Sequence, residues 1–448
     1  MPGSGSIGPM RVFLSNLGCK LNQAELEAMA RRFHSAGHQV VTALVDADLH
    51  VVNSCTVTHL AARTSRRAVR RGQRQNPRLK TVLTGCYASH RPGDAAAVEG
   101  VDLVVDNTQK ESLVEIVGEA FPDTLPAPRA LPVPFVPLEF GNHRALVKVE
   151  DGCNMRCSFC IIPTTRGRQR SRPVAECVAE VRALAAAGAH EVVITGVQIS
   201  AYRAGGAGLV ELVEAMLEGS DVLRLRLTSI APWQLDRHLL RLVGQPRVCR
   251  HLHLSLQSGC DATLRRMRRP YTAERYAEIV AEAREAVPGL AVTTDVIVGF
   301  PGETETEFEA SRAFVRRLSF SKVHVFPYSE RAGTAAAELP GAVEPAVRAA
   351  RAAAMAETAA EGEEAFRRRH VGRVETVVWE GRRRGRWQGM TDNYLRVQTV
   401  SRADLALTPT ATRLTAIDGE ALLGEPCSEA LPEKPVATRR SSSLREAH

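Results

Sequence analysis

The stretch Asp151–Cys160, DGCNMRCSFC, follows directly on the apolar, β-branched run ALVKVE (145–150). It sets Cys153, Cys157 and Cys160 in a C-x3-C-x2-C spacing on one loop at a strand end. A loop this short can wrap an iron–sulfur cluster and turn its backbone N–H groups toward the sulfides. A cubane has four irons, so three thiolates leave one iron open, as an open catalytic zinc site keeps a free position. A closed structural zinc site needs a fourth ligand, and the nearest spare, Cys177, falls in a helical pattern where packing is its expected role.

Five more strand-like runs lie downstream: HEVVITG (190–196), LRLRLTS (223–229), HLHLSL (251–256), AVTTDVIVGF (291–300) and KVHVFPY (322–328). Helical patterns separate them, as over 173–187 and 272–287, and a long Ala-rich helix over about 345–369 follows. Six strands with crossovers predict a parallel barrel, complete or partial, with its active site at the C-terminal strand ends. Thr195, Gly196, Ser255, Gln257 and Asp295 lie at those ends. Each alone could be a turn or a cap, but together they mark where a cofactor would lie.

Upstream, RVFLSNLGC, LHVVNSC and KTVLTGC each run from a short strand through small or polar residues into Cys19, Cys55 or Cys86. Helical patterns follow Cys19 and Cys55, so an open α/β sheet is expected over 10–120. Such sheets bind ligands at the carboxyl ends of their strands, which would bring these distant thiols to one edge as a second three-thiolate set. The competing reading is three small buried residues. Proline at 122, 126, 128, 132, 134 and 137 marks 121–141 as a linker. The barrel domain is expected over 142–369, a small all-β module over 370–427, and a disordered tail over 428–448.

The chain of 448 residues is 44% apolar and 24% charged, the composition of a soluble multidomain protein. No apolar run approaches membrane-spanning length, and the opening residues do not read as a secretory signal. Ten cysteines without an export signal imply a reducing compartment, expected to be the cytoplasm. The net charge of +8 is compatible with a polyanionic partner such as RNA, or with an arginine-favouring genome. Arg66, Arg67, Arg70, Arg71 and Arg74 recur at helical spacing just after Cys55. Arg367–Arg369 and Arg382–Arg386 flank the β module, with Trp379, Trp387 and Tyr394 interleaved. Arg384, Arg386 and Tyr394 are the candidates there for phosphate contact and base stacking. Solvated charged faces are the bland alternative.

The C-x3-C-x2-C loop after the first barrel strand resembles the radical S-adenosylmethionine superfamily. That resemblance implies an open iron that chelates the cofactor, and reductive cleavage to methionine and a 5′-deoxyadenosyl radical. The strand-end residues would then contact the cofactor. Across about residues 10–427 the domain order resembles the methylthiotransferases, which end in a TRAM β-barrel. Membership implies two 4Fe–4S clusters and two S-adenosylmethionine molecules per turnover. One cofactor methylates a sulfur at the auxiliary cluster held by Cys19, Cys55 and Cys86. The other gives the radical that turns C–H into C–S. A reducing electron donor and a sulfur source are implied partners.

Within the family, LGCKLNQAE (17–25) and NSCTVTHLAARTSRRAVRR (53–71) look like the branch acting on N6-threonylcarbamoyladenosine at position 37 of tRNA, in the anticodon loop. Lys20 and Thr56–Val57–Thr58 carry that likeness; Ser54 stands where Thr is usual. The isopentenyladenosine branch usually has Gln after the first cysteine, and the ribosomal protein S12 branch Pro-Lys. A reading from another class is an RNA-binding iron–sulfur sensor without catalysis. Cys249, Cys260 and Cys427, like Cys177, carry no expected role beyond packing.

Overall fold

The computed structural model describes residues 10–122, 144–406 and 408–427. Nearly all of the expected linker, and all of the expected tail over 428–448, lie outside them.

The first unit is an open parallel sheet. Its strands β1 (Arg11–Asn16), β2 (Gln39–Val41), β3 (Leu49–Ser54), β4 (Lys80–Gly85) and β5 (Leu103–Val105) run in the order β2-β1-β3-β4-β5. Helices α1 (Lys20–Ser35), α2 (His59–Gln75), α3 (Cys86–His90), α4 (Pro92–Ala96) and α5 (Leu113–Ala120) complete it. Leu26, Met29 and Phe33 of α1 and Leu113 of α5 pack on Val12, Val51 and Val82. Val69, Tyr87 and Ala95 pack on Val52 and Leu83 of the other face. With both faces covered, β3 is buried along its whole length. The strand order reverses between β1 and β3, and that switch point opens a crevice beyond their carboxyl ends. Sequence reading missed β2 and β5, edge strands too short to show a pattern.

The central unit holds all six expected strands. β6 (Arg144–Lys148) is followed by a clip of β7 (Glu150–Asp151) and β8 (Arg170–Ser171). β9 (Glu191–Thr195), β10 (Arg224–Leu227), β11 (His251–His253), β12 (Ala291–Val298) and β13 (Lys322–Pro327) continue the wall. They form two parallel sheets, β6-β9-β10 and β11-β12-β13, joined by the bridges Leu225–Val248 and Ile230–Leu254. This is a half-open barrel; among the described residues, β6 and β13 do not pair. Its helices α6 (Ile162–Arg166), α7 (Val174–Ala186), α8 (Leu209–Glu218), α9 (Arg237–Val243), α10 (Asp261–Arg266), α11 (Ala273–Ala286), α12 (Glu305–Leu318) and α13 (Pro345–Arg368) follow the strands. Val147, Ile194 and Val292 face the main core beneath them. Leu146 and Val193 point the other way, into the lumen, where Ala24 of α1 packs on them. The first unit thus reaches into the concave side of the second.

The last unit is a closed barrel, β14-β15-β16-β18-β17, built from β14 (Val374–Arg383), β15 (Arg386–Thr391), β16 (Arg396–Thr399), β17 (Pro409–Asp418) and β18 (Ala421–Pro426). Trp379, Trp387, Leu414 and Leu422 fill it. β15 had been hidden in the basic run; Arg384 (φ 50°) and Gly385 (φ 78°) form the two-residue turn that pairs Arg383 with Arg386. This barrel seals the floor of the half-barrel. Glu191 accepts from Arg224 at 2.5 Å and Arg226 at 2.6 Å, and those guanidiniums donate onward to the Met390 and Asp392 carbonyls. Arg250 bridges Asp392 and Glu375.

Candidate active site

The loop after β6 is fixed by its own backbone. Cys153 N–H donates to the Gly167 carbonyl at 3.1 Å, and Cys160 N–H to the Cys157 carbonyl at 3.1 Å. Met155 N–H donates to the Cys153 sulfur at 3.4 Å. Gly152 (φ 77°) lies so close to the Arg168 carbonyl that a Cβ would stand 2.2 Å from it, so the loop closes only with glycine there. The three thiols lie within one another's electrostatic reach, and burial pushes Cys160 up to about 12. Metal binding must therefore displace thiol protons. Arg269 favours that: its Nη1 donates to the Cys157 sulfur at 3.3 Å while its guanidinium lies over Trp233 and Tyr271. Nothing in the charge run RRMRRPY (265–271) marks Arg269 out in the sequence.

A cavity of about 240 Å³ opens beside this loop at the C-terminal mouth of the half-barrel, lined by all three cysteines, Gln198, Ser255, Gln257 and Asp295. Ser255, Gln257 and Asp295 stand where the sequence placed them. Just after β9 the wall is Val197 and Gln198. Thr195 and Gly196 lie beneath it. The Thr195 carbonyl accepts from Val149, and a Cβ on Gly196 would stand 2.7 Å from Glu150 Oε2. The Glu150 carboxylate accepts from the N–H groups of Val197 and Gln198 at 2.8 and 3.0 Å, which presents Gln198 to the cavity. Burial lifts that carboxyl to about 7. Gln257 holds φ 70°, a left-handed conformation costing about 1–3 kcal/mol, kept by its bonds to Asp295 and Ile297 of β12.

The second triad assembles from three strand ends. Cys19 caps α1 after β1, Cys55 follows β3 and Cys86 opens α3 after β4. Each lies within electrostatic reach of another, and burial pushes Cys55 up to about 11. Gly18 lets the chain pass; a Cβ there would stand 3.0 Å from that of Cys55. The Asn107 amide lies 3.9 Å from the Cys86 sulfur and donates to the Thr165 carbonyl at 2.7 Å, tying this triad to the loop of the other. Arg166, fully buried, donates to Glu25 at 2.7 Å, Asp151 at 3.0 Å and Asn22 at 2.6 Å. Lys110 donates to the same Glu25 at 2.7 Å. These cations hold the Glu25 carboxyl well below the usual carboxylate range.

Mononuclear zinc in a tetrahedron of 2.3 Å bonds needs sulfurs about 3.8 Å apart. Among the described residues, neither triad has its sulfurs all within 4.8 Å of one another. All-thiol sets at wider spacing, each facing a guanidinium, fit an anionic polynuclear iron–sulfur cluster.

A second cavity, about 230 Å³, lies between the triads. Val57 and Thr58, just after Cys55, form one wall, and Phe326, Tyr328 and Arg331 another. Phe159, Cys160, Ile162, Gln257 and Asp295 line both cavities. Apolar walls with a few polar groups suit a heteroaromatic ring.

The basic stripe starts at this rim. Arg67, Arg70, Arg71 and Arg74 are exposed on α2, and Arg66 lies over the Tyr87 ring. Among the described residues no carboxylate pairs with them. The β module differs from expectation. Trp379 and Trp387 are its core, because so small a barrel has little else to bury, and they are not stacking platforms. Tyr394 stacks on His251 at 4.6 Å, and Arg386 pairs with Asp418 at 2.6 Å. Arg384 stays exposed at the hairpin tip. Cys177 and Cys249 are buried, Cys260 caps α10, and the Cys427 thiol donates to the Ala411 carbonyl. No helix among the described residues is long and apolar enough to cross a membrane.

The family profile of the Radical SAM superfamily matches residues 147–315, and that of Uncharacterized protein family UPF0004 matches 11–106. The Threonylcarbamoyladenosine tRNA methylthiotransferase MtaB of Bacillus subtilis is 35% identical, over 86% of this chain and 89% of that protein. The tRNA-2-methylthio-N(6)-dimethylallyladenosine synthase of Chloroflexus aurantiacus is 33% identical, over 93% and 91%. In fold, the chain is similar to the radical S-adenosylmethionine methyltransferase TsrM from Kitasatospora setae, solved with cobalamin and a 4Fe–4S cluster. The TM-score is 0.57 at 17% identity, over 73% of this chain and 77% of that one. The chain belongs to the MtaB-like radical S-adenosylmethionine methylthiotransferases, enzymes that use S-adenosylmethionine and 4Fe–4S clusters.

Proposed function

We propose that this enzyme methylthiolates C2 of N6-threonylcarbamoyladenosine at position 37 of tRNA. The observation that carries the reading is the second cavity, walled by residues beside Cys55 and by residues shared with the cofactor cavity. A base held there has the dispersed triad on one side and the cofactor on the other. Cys153, Cys157 and Cys160 would hold the radical cluster, and Cys19, Cys55 and Cys86 the auxiliary one. When bound, the two clusters and S-adenosylmethionine supply the 5′-deoxyadenosyl radical and a methylated sulfur.

The chain's own residues do the rest. Gln198, Ser255, Gln257 and Asp295 orient the cofactor. Phe159, Ile162 and Phe326 exclude water around the base. The arginines of α2 hold backbone phosphates, which fixes register without reading sequence. The target adenine must leave its stack, and an anticodon loop makes that less costly than a duplex. A cytoplasmic electron donor and a sulfur source complete the turnover. The relatives that share the substrate by name support it, as does Lys20. The Chloroflexus relative keeps isopentenyladenosine as the second reading.

Anaerobic reconstitution should load about eight irons per chain. Incubation with tRNA carrying threonylcarbamoyladenosine should then yield its 2-methylthio derivative by nucleoside mass spectrometry. Product only on isopentenyladenosine tRNA, or none on either, overturns the assignment.

A further inference from the structure

Lys20 opens α1, one residue after Cys19, and its ammonium lies on the lumen side of the half-barrel, 5.5 Å from the Tyr394 ring. Tyr394 is itself stacked on His251, at the floor. From there a polar ladder climbs the barrel. His251 and His253 both bond the Thr293 hydroxyl at 3.0 Å, and His253 bonds Asp295 at 3.1 Å. Asp295 lines both cavities. His324 faces this ladder from β13, its ring 6.0 Å from that of His253. Two residues on, and so on the same face of β13, Phe326 lines the second cavity. Lys20 is close enough to act electrostatically on His251, His324 and Tyr394.

The other cations along these seams each pair with a carboxylate: Arg144 with Glu380, Arg224 and Arg226 with Glu191, Lys110 and Arg166 with Glu25. Among the described residues, no carboxylate lies at salt-bridge distance from Lys20. Lys20 therefore stands on the lumen side without a carboxylate partner among the described residues, within electrostatic reach of His324, which itself lies within 4.8 Å of the Asp295 carboxylate that lines the base cavity. The basic helix α2 starts at the opposite rim, at Thr58. Phosphates held by α2 would turn the substituted edge of the base inward, toward Lys20.

We propose that Lys20 binds the carboxylate of the threonylcarbamoyl group and so selects an anionic N6 substituent over a hydrocarbon one. This rests on the substrate reading given above. The threonylcarbamoyl group ends in a carboxylate, ionised at neutral pH. An isopentenyl group has no polar atom and leaves the ammonium unpaired, so one residue both attracts one substrate and rejects the other.

The test uses reconstituted enzyme and labelled anticodon stem-loops carrying threonylcarbamoyladenosine or its primary carboxamide, which differ by one charge. Wild type should bind the carboxylate form about 10- to 100-fold more tightly in Kd, the span of a charge-assisted hydrogen bond. Lys20→Arg should keep most of that ratio, and Lys20→Gln should bring it close to one. A Lys20→Gln variant that keeps the wild-type ratio overturns the proposal. If Lys20→Gln loads less iron than wild type, Lys20→Met, which keeps the stem and removes the charge, carries the test: the ratio should fall close to one, and an unchanged ratio overturns the proposal. Wild type that methylthiolates the carboxylate form but binds both stem-loops equally sinks the Lys20 assignment alone. Wild type that methylthiolates neither sinks the substrate reading itself.

Discussion

Cys153, Cys157 and Cys160 sit on one loop pinned by its own backbone bonds, whereas Cys19, Cys55 and Cys86 meet because three parallel strands end side by side. The compact triad needs little beyond its loop and the guanidinium of Arg269. The dispersed triad needs the whole first sheet, and its neighbouring guanidinium, Arg166, comes from the other domain, six residues beyond Cys160. A residue of the compact triad's loop therefore acts electrostatically on the dispersed triad. A local motif and a topological one have been joined through a single buried network around Glu25.

Removing one ligand from the compact triad is the harshest test of this contrast. Cys157→Ala should abolish both 5′-deoxyadenosine formation and sulfur transfer, with iron falling from about eight to about four per chain. Cofactor cleavage that survives would mean the triads have been assigned the wrong way round.

The joining network can be broken next. Glu25→Ala leaves Arg166 and Lys110 buried without their shared carboxylate, and should cost about 3–5 kcal/mol in urea unfolding. A loss below about 1 kcal/mol would show that the dispersed site does not lean on the barrel.

A neighbour on the same helix sharpens the point through pH. Glu27 accepts from Leu146 N–H at the seam, faces Gln23, Arg31 and Glu180, and is lifted by burial to about 7. Its folded pKa lies above the unfolded one, so its proton favours the folded state. Its contribution to stability is greatest below about pH 4.5 and falls until about pH 7. Glu27→Gln should remove that slope, gaining roughly 3 kcal/mol at pH 8 and little at pH 4.5. Parallel stability curves for the two proteins would contradict it.

The smallest effect belongs to the surface. Arg70→Glu on α2 should weaken tRNA binding a few-fold and lower the salt slope by about 1, with 5′-deoxyadenosine formation retained. An unchanged slope would move the phosphate track elsewhere.

The contrast also explains what could be read from sequence. The C-x3-C-x2-C loop and the six barrel strands were legible because each is a local pattern. The dispersed cysteines were legible through their shared setting, strand then small residues then thiol. Arg269, Arg166 and Gln198 were not, because each acts at the site through a fold contact that leaves no mark in its own stretch of chain. The small barrel misled in the opposite sense. Its tryptophans, beside arginines in sequence, looked exposed for stacking, but a five-stranded barrel this short spends its aromatics on its own core.

The division of labour between the triads is tested most directly by Cys19→Ala, reconstituted anaerobically and supplied with S-adenosylmethionine, a low-potential reductant and tRNA carrying threonylcarbamoyladenosine. The expected result is continued formation of 5′-deoxyadenosine with no methylthio nucleoside. Methylthio product at the wild-type level would contradict the role given to the dispersed triad.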